Sequence, residues 1–438
     1  MSGDLHKLGL VEAARRIREG ALTSEDYTRG LLGRIAARDG DIAAWAFLDP
    51  NLALAQARAA DCLSKQDHPL AGVPVGVKDI IATRDMPTQM GTPLFEGHQP
   101  ADDARVVERM AMAGAFPLGK TVTTELAFLH PGKTHNPWNP GHTPGGSSSG
   151  SAAAVAAGFV PAAVGTQTNG SVIRPAAYCG VVGYKPTRSL VSLEGIHPFS
   201  RTLDQLGVFT RSVGDAAAFA AALSQYPGTI HPEPLEPARP PRLALLLEMP
   251  WATPEPAQAQ VLERWAGIFS RDRAPVTPLR LPGVFSEADR IHRVIMLYEA
   301  ARELGSLQER ERGRLSGLLN AALDEGHAIS PERYREAIAE RHHLMFLLAN
   351  LIQEFDAVMS PPVAGPAPAG LAGTGSPAFC TLWSLAGFPA LALPAELTPA
   401  GLPLGLQLAA PAGVDSLLLG VAAWCEQRIG FRQLVEHN

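Results

Sequence analysis

The chain alternates between stretches of helical periodicity and short apolar stretches typical of buried strands. Helices are predicted where a capping residue precedes an apolar face, and strands where Val-rich runs are bounded by Gly or Pro. The predicted helices are Thr23–Ala37, Leu52–Leu63, one from Asp102 to Gly114, Ser151–Gly158, and one from Ser330 to about Glu354. The predicted strands are Gly72–Ile81, Ala115–Gly119, Val160–Thr166, Asp356–Ser360 and Ala390–Pro394.

Two of the predicted helices have particular start signals. Thr23 with Asp26 three residues later resembles a capping box. Asp102 is predicted to cap the helix that Gly114 ends. Both signals place a side-chain oxygen where the first helical N–H groups need an acceptor.

Helical and strand-like stretches follow one another along the whole chain. This alternation predicts an α/β fold with a mixed β-sheet core covered by helices on both faces. No low-complexity linker and no internal repeat divides the 438 residues. We therefore expect a single large domain over 1–438, with an N-terminal helical part at 1–65, rather than the three domains that length alone suggests.

Composition and charge narrow the classes of partner. The chain is 46% hydrophobic, and its net charge of −6 arises from 37 basic and 43 acidic residues without a basic cluster. Nucleic acids and anionic membranes attract clustered Lys and Arg, so neither is expected as a partner. Four widely spaced cysteines, no metal-ligand spacing and an N-terminus without an apolar leader predict a cytoplasmic protein with reduced thiols and no bound metal.

Two catalytic motifs in the sequence lack the structural context they require. Gly114–Thr121 fits the phosphate-loop pattern GxxxxGK[ST], but a helix precedes it and Ala-Phe-Pro-Leu separates its glycines, which predicts a strand. Gly146–Gly150 fits GxSxG, but the nucleophile elbow follows a strand, whereas here the loop from Pro131 to Gly146 precedes it. Neither nucleotide binding nor an α/β-hydrolase is favoured.

Lysine is rare, which makes each one informative. Only six occur, and they are Lys7, Lys65, Lys78, Lys120, Lys133 and Lys185. Lys78 ends a Val-rich strand, so its amine is expected in a poorly solvated interior where desolvation lowers its pKa. A neutral lysine can serve as the base for a serine nucleophile. The alternative is an ordinary lysine at a strand end.

Two segments offer hydroxyls and backbone N–H groups. Gly145–Ser151 contains only Gly and Ser and leads into a helix of small residues, so a tightly packed segment is more consistent with it than a flexible linker. Thr166–Pro175 is predicted to turn at Thr168–Ser171 into a short helix. The N–H groups of this turn then point at one place, which suits a developing oxyanion.

The segment from Gly145 to Pro186 closely resembles the amidase signature family. GGSSSGSAAAVAAG and GTQTNGSVIRPAAYCGVVGYKPT carry the resemblance. VGVKDI, GAFPLGKT, THNPWNPGHTP and SRTLDQLGVFTRSVGDAA extend it over a signature core at 70–215. The GSVIRPAAYCG form is most similar to malonamidase-like bacterial amidases, for which a homodimer is expected.

The resemblance implies a Ser–cisSer–Lys triad with no cofactor. Ser171 matches the nucleophile, Ser147 the bridging serine after a cis peptide bond, and Lys78 the base. The oxyanion hole then comprises Thr168, Asn169, Gly170 and Ser171. The implied reaction hydrolyses the C–N bond of a small carboxylic amide to acid and ammonia through an acyl-enzyme.

Two further positions concern substrate range. Asn169 stands where family members usually have glycine, and Asn tolerates positive φ best among the other residues. Arg174 matches an arginine that binds a substrate carboxylate in malonamidases, the alternative being a structural ion pair. Two other functions remain open: the amidase subunit of a tRNA-dependent amidotransferase, and a non-catalytic binding protein of the same fold.

Overall fold

The computed structural model describes residues 4–63, 68–431 and 434–435, so Lys65 and the outermost residues of the predicted N-terminal part (1–65) lie outside the described residues. The strands are β1 (Trp45–Phe47), β2 (Pro74–Lys78), β3 (Phe116–Thr121), β4 (Ala162–Gln167), β5 (Val182–Lys185), β6 (Gln205–Thr210), β7 (Leu243–Leu245), β8 (Val276–Pro278), β9 (Ala357–Ser360), β10 (Ala390–Leu397) and β11 (Pro403–Ala409). The helices are α1 (Leu10–Arg18), α2 (Ser24–Ile42), α3 (Pro50–Asp61), α4 (Arg105–Met112), α5 (Ser149–Ala156), α6 (Ile173–Cys179), α7 (Val213–Leu223), α8 (Pro256–Arg271), α9 (Ala288–Glu311), α10 (Gly317–Ala328), α11 (Pro331–Ile352), α12 (Thr381–Ala386) and α13 (Asp415–Ile429).

In the described residues these strands form one mixed sheet. Its order is β1-β3-β2-β4-β6-β5-β10-β11-β9-β7-β8. Strand β2 is parallel to both β3 and β4, whereas β4 and β6 are antiparallel. The predicted single α/β domain with a mixed sheet is confirmed.

Both faces of the sheet are covered by hydrophobic cores. Successive residues of a strand point to opposite faces, and neighbouring residues of β4 and β10 accordingly enter different cores. Val164 and Leu391 pack with residues of α4, α7 and α13. Ala163 and Ala390 pack on the other face with residues of α5, α6 and α12. This double burial explains why the strands read as continuous apolar runs.

Helix starts were predicted with mixed success. The capping signal at Thr23 is confirmed, since Thr23 Oγ1 accepts a hydrogen bond from Asp26 N at 3.0 Å and α2 begins at Ser24. The prediction that Asp102 caps the next helix is wrong, because α4 begins at Arg105 after Ala104. The preceding acidic residues belong to a loop. Two hydrogen bonds, each donated by a backbone N–H group, hold this loop to residues 82–84.

The N-terminal part contributes to the main sheet as well as supplying helices. It contains α1, α2 and α3, but also β1, which pairs with β3 in antiparallel register. Tyr27 and Leu31 of α2 enter the core of one face, and Ile35 enters the core of the other. Within the described ranges, no helix combines the length and apolar character that crossing a bilayer requires.

Candidate active site

The end of β2 places the amine of Lys78 inside the protein. Lys78 Nζ lies 2.7 Å from Ser147 Oγ and 2.8 Å from Thr166 Oγ1, and the residue is 0% exposed. Strand β4 runs parallel beside β2, so side chains at their carboxyl ends meet. Burial lowers the pKa of Lys78 to about 7, although the negative charge of Asp204 acts to raise it. The predicted desolvated lysine is therefore present.

Residues Gly145–Ser151, the Gly/Ser segment, are firmly held between strands. Its serine hydroxyls donate to strand or strand-end carbonyls: Ser148 to Thr166 at 3.2 Å, Ser149 to Val122 at 3.3 Å, and Ser151 to Val164 at 3.0 Å. All residues of α5 are buried. These bonds position Ser147, at the start of the segment, against Lys78.

Arg174 holds the peptide bond that precedes Ser147, and this bond is cis. Arg174 Nε and Nη2 donate to the carbonyl oxygen of Gly146 at 3.1 and 2.7 Å, while Nη1 donates to that of Gly375 at 2.8 Å. The residue is buried, and burial lowers its pKa. In the described chain, the hydrogen bonds of the Arg174 side chain thus go to backbone carbonyls. The structural ion pair considered as the alternative from the sequence would have required a carboxylate instead.

The turn at 168–171 offers a set of unpaired donors. In the described part of the chain, none of the N–H groups of Thr168, Asn169, Gly170 and Ser171 donates to another protein atom. The next two N–H groups, of residues 172 and 173, donate instead to Gln167 Oε1 at 2.8 and 3.0 Å. Within residues 168–173 of the described chain, the free donors are therefore those of the turn that ends at Ser171.

Asn169 sits in the turn without a left-handed backbone, since it is not among the residues with positive φ. Its Oδ1 accepts a hydrogen bond from Thr381 Oγ1 at 3.1 Å. The asparagine side chain thus joins the turn to α12. The tolerance of Asn for positive φ, considered from the sequence, does not account for its presence here.

A cavity of about 220 Å³ opens onto the turn. Its polar lining comes from Thr168–Ser171, Arg174, Asp289, His292 and Arg293, and its apolar lining includes Phe128, Leu129, Phe199 and Met296. A second cavity of about 390 Å³ shares Ala127, Thr168 and Phe199 with the first. The rings of Phe128 and Phe199 stack with centroids 5.2 Å apart, so the shared Phe199 belongs to an aromatic pair in the wall of the first cavity.

Lys120, the lysine of the phosphate-loop pattern, is also buried but serves a different purpose. Its amine donates to Ile81 O and Thr88 Oγ1, both at 2.6 Å, and lies 3.8 Å from Asp79 Oδ1. The strand predicted at Ala115–Gly119 is present as β3, which extends to Thr121 and so includes this lysine. The amine is engaged by the protein and does not face a phosphate cradle.

Several residues of the site were missed by sequence reasoning. Thr166 and Gln167 lie within the signature motif, and Asp204 lies in the similar stretch at 200–217, so their segments were recognised but not their contacts. Asp204 Oδ1 accepts from Thr168 Oγ1 at 2.5 Å, and burial raises the pKa of Asp204 to about 6. His292 carries no local signal. Among the described residues, no group of three or more His, Cys, Asp or Glu is arranged to hold a metal ion.

Comparisons with known proteins agree with this architecture. A family model described as Amidase matches residues 26–419. One glutamyl-tRNA(Gln) amidotransferase subunit, from Anaeromyxobacter sp. (strain K), is 45% identical over 223 residues, which are 49% of this chain and 45% of that protein, so the match spans about half the length of such relatives. The corresponding amidotransferase subunit from Pseudomonas fluorescens (strain SBW25) is 31% identical over 467 aligned positions, covering 95% of this chain and 96% of the relative.

Solved structures match over almost the entire chain. A crystal structure of an amidase has 33% identity and a TM-score of 0.86, covering 96% of this chain and 100% of that one. The peptide amidase of Stenotrophomonas maltophilia has 29% identity and a TM-score of 0.83, covering 98% of each chain. With this fold and a family model spanning residues 26–419, the chain belongs to the amidase family, the amidase signature enzymes.

Proposed function

We propose that the protein hydrolyses the C–N bond of a small carboxylic amide to an acid and ammonia, with Ser171 as nucleophile. One observation carries this proposal. Burial lowers the pKa of the Lys78 amine to about 7, and this amine contacts Ser147 Oγ at 2.7 Å. Beside it, a turn ends at Ser171 whose N–H groups have no protein acceptor in the described chain. The backbone joins the two serines as well, since Ser148 N donates to the carbonyl of Ser171 at 3.4 Å.

The proposed relay begins with the lone pair of neutral Lys78, which accepts the proton of Ser147. Ser147 in turn accepts the proton of Ser171, whose oxygen forms a bond to the amide carbon. The carbonyl π electrons move to oxygen, giving a tetrahedral oxyanion. When the C–N bond breaks, Ser147 returns a proton to the departing nitrogen and Lys78 reprotonates Ser147.

The second half of the reaction reverses the relay with water. The acyl group is then an ester of Ser171, and water loses its proton through Ser147 to Lys78 as it attacks the carbon. The Ser171–acyl bond breaks, the acid leaves, and Ser171 regains its proton. Protons and bonds balance without a redox partner.

The oxyanion loop, defined as residues 168–171, supplies the electrostatic stabilisation. All four residues line the cavity, and their N–H groups have no protein acceptor in the described chain. Fixed donors at a developing oxyanion lower the barrier substantially. The cavity of about 220 Å³ suits a small acyl group. These features support a small amide as substrate.

The test is ammonia release from a panel of small amides by the purified chain. Ser171→Ala, Ser147→Ala and Lys78→Met should each lower kcat by about 10³-fold or more, because the triad acts as a unit. Ser306→Ala is the control, since Ser306 is exposed on α9 and lies outside the segments that hold the triad. Full turnover in Lys78→Met, or no labelling of Ser171 by a fluorophosphonate, would contradict the proposal.

We propose that Arg174 also binds a substrate carboxylate. Its guanidinium has N–H groups left over after those that donate to the carbonyls of Gly146 and Gly375. Arg174→Ala should slow all amides because the Gly146 carbonyl loses its donors. The ratio of kcat/KM for malonamate-like amides to that for neutral amides should fall a further ~10-fold if the carboxylate is bound. An unchanged ratio would leave Arg174 only its backbone contacts.

A second candidate function is the amidase subunit of a tRNA-dependent amidotransferase. The similarity to the Pseudomonas fluorescens amidotransferase subunit over 95% of this chain favours it. Such a protein works with a partner, so the purified chain alone should then be inactive on every amide of the panel. Ammonia release without a partner favours the free-standing amidase.

A further inference from the structure

The carbonyl groups of the oxyanion loop accept hydrogen bonds from residues outside the loop. The carbonyl oxygen of Thr168 accepts a hydrogen bond from His292 Nε2 at 3.1 Å, and that of Asn169 accepts one from Ser384 Oγ at 2.5 Å. The carbonyl of Gly170 accepts from Arg174 N at 2.9 Å. Each carbonyl is thus directed to a donor on α9, α12 or α6.

Because the peptide unit is planar, these contacts of the carbonyl groups also determine where the N–H groups of the loop point. In a planar trans peptide, the C=O bond and the following N–H bond point in opposite directions. The cis bond in the described chain is at 146–147, so the peptides of the loop are trans. Holding the carbonyls of Thr168 and Asn169 therefore turns the N–H groups of Asn169 and Gly170 the opposite way, where no protein acceptor in the described chain meets them.

We propose that His292 and Ser384 are positioning residues that orient the N–H groups of Asn169 and Gly170 toward the substrate oxyanion. This inference rests on the proposed amidase function. Neither residue donates to the substrate itself. Their effect passes through the peptide planes of the loop.

The surroundings of both residues favour this role. His292 is buried, and burial lowers its pKa to about 4, so the imidazole is neutral at pH 7. Because a carbonyl oxygen only accepts, Nε2 must carry the imidazole hydrogen. Ser384 Oγ accepts from Gln167 Nε2 at 3.0 Å, which leaves its own hydrogen for Asn169 O. Gln167 directly precedes the oxyanion loop, and its side chain also accepts hydrogen bonds from the two N–H groups that follow the loop. One side chain therefore connects the two ends of the loop.

The experiment compares His292→Phe, which removes the donor, with His292→Gln, which retains an N–H at a similar reach. His292→Phe and Ser384→Ala should each lower kcat on a small amide about 10- to 100-fold, below the loss seen when an oxyanion donor itself is removed. KM should change less than about twofold, and His292→Gln should recover most of the activity. Affinity for a small boronic acid, which forms a tetrahedral adduct on serine, should fall in parallel with kcat.

His68→Leu is the control, because His68 Nδ1 also contacts a backbone carbonyl, that of Met112, but on the surface. Wild-type kcat in His292→Phe, while Ser171→Ala is inactive, would overturn the positioning role and leave the proposed function standing. Equal losses in His292→Phe and His292→Gln would also overturn it. Full activity in Ser171→Ala would instead contradict the proposed function.

Discussion

At the scale of single residues, three buried lysines differ by what their amines contact. Lys120 has a carboxylate, Asp79, within 3.8 Å, and Lys185 donates to Gln205 Oε1 at 2.8 Å and to a backbone carbonyl. Lys78 contacts the hydroxyls of Ser147 and Thr166, whereas the hydroxyl that Lys120 reaches at 2.6 Å belongs to Thr88. Burial lowers the pKa of all three, so the pKa alone does not distinguish the proposed base. The adjoining hydroxyl of Ser147 does.

The pH dependence of hydrolysis follows from Lys78. Only the neutral amine accepts a proton, so kcat/KM should rise with pH through about 7, where the pKa of Lys78 lies. The charge of Asp204 raises that pKa, so Asp204→Asn should move the rise to lower pH. Asp79→Asn, beside Lys120, is the control and should leave it in place. A rise that Asp204→Asn leaves unmoved, or that both variants move equally, would exclude Lys78 as its origin.

At the scale of elements, glycine allows α5 to approach the sheet edge closely. A Cβ on Gly150 would lie 2.3 Å from both Ala44 O and Val122 N, which are backbone atoms that cannot rotate away. A Cβ on Gly165 of β4 would lie 2.5 Å from Ser148 Oγ. Ser147, which contacts Lys78, lies just before the start of this helix. The position of its hydroxyl therefore depends on the close approach of α5 to the sheet.

Gly150→Ala should therefore destabilise the protein by about 1–3 kcal/mol, as overpacking does, and lower kcat through displacement of the segment. Gly33→Ala in α2 is the matched control, since a Cβ there has nothing within 4 Å. That variant should be stabilised by about 0.5–1 kcal/mol because alanine favours the helix. Urea unfolding measures both changes. Equal stability of the two variants would refute the close-approach argument.

At the scale of the whole molecule, the buried lysine couples stability to pH. The pKa of Lys78 is about 7 in the folded protein against an ordinary value of 10.5. Between these values the unfolded chain binds more protons, so the unfolding free energy rises with pH, by up to about 1.4 kcal/mol per pH unit. Below the folded value both states are protonated and this dependence disappears.

Lys78→Met removes this contribution. The unfolding free energy of the wild type minus that of the variant should therefore increase between roughly pH 7 and 9. Lys133→Met, at an exposed position, is the control. Denaturant titrations across this range provide the measurement. A flat difference for Lys78→Met would mean that its amine keeps its charge when folded.

Local patterns predicted the parts of this protein that neighbouring residues along the chain determine. Apolar runs predicted β2 and β4, Thr23 predicted the start of α2, and the motifs around Lys78, Ser147 and Ser171 predicted the family. Each depends on side-chain periodicity, capping or a contiguous signature. Asp102 was misassigned because the loop at 102–104 is held by residues 82–84, a contact that no local pattern reveals.

The tertiary structure alone decided which groups surround the proposed catalytic residues. His292 reaches Thr168 across 124 positions and Ser384 reaches Asn169 across 215, and a histidine or serine inside a helix carries no mark of a distant carbonyl. The use of Arg174 on the Gly146 carbonyl likewise depends on how α6 packs against the Gly/Ser segment. The sequence by itself determined the family and predicted the catalytic side chains, because both depend on contiguous motifs along the chain. The orientation of the oxyanion loop is a property of packing between distant helices, so only the folded chain decides it.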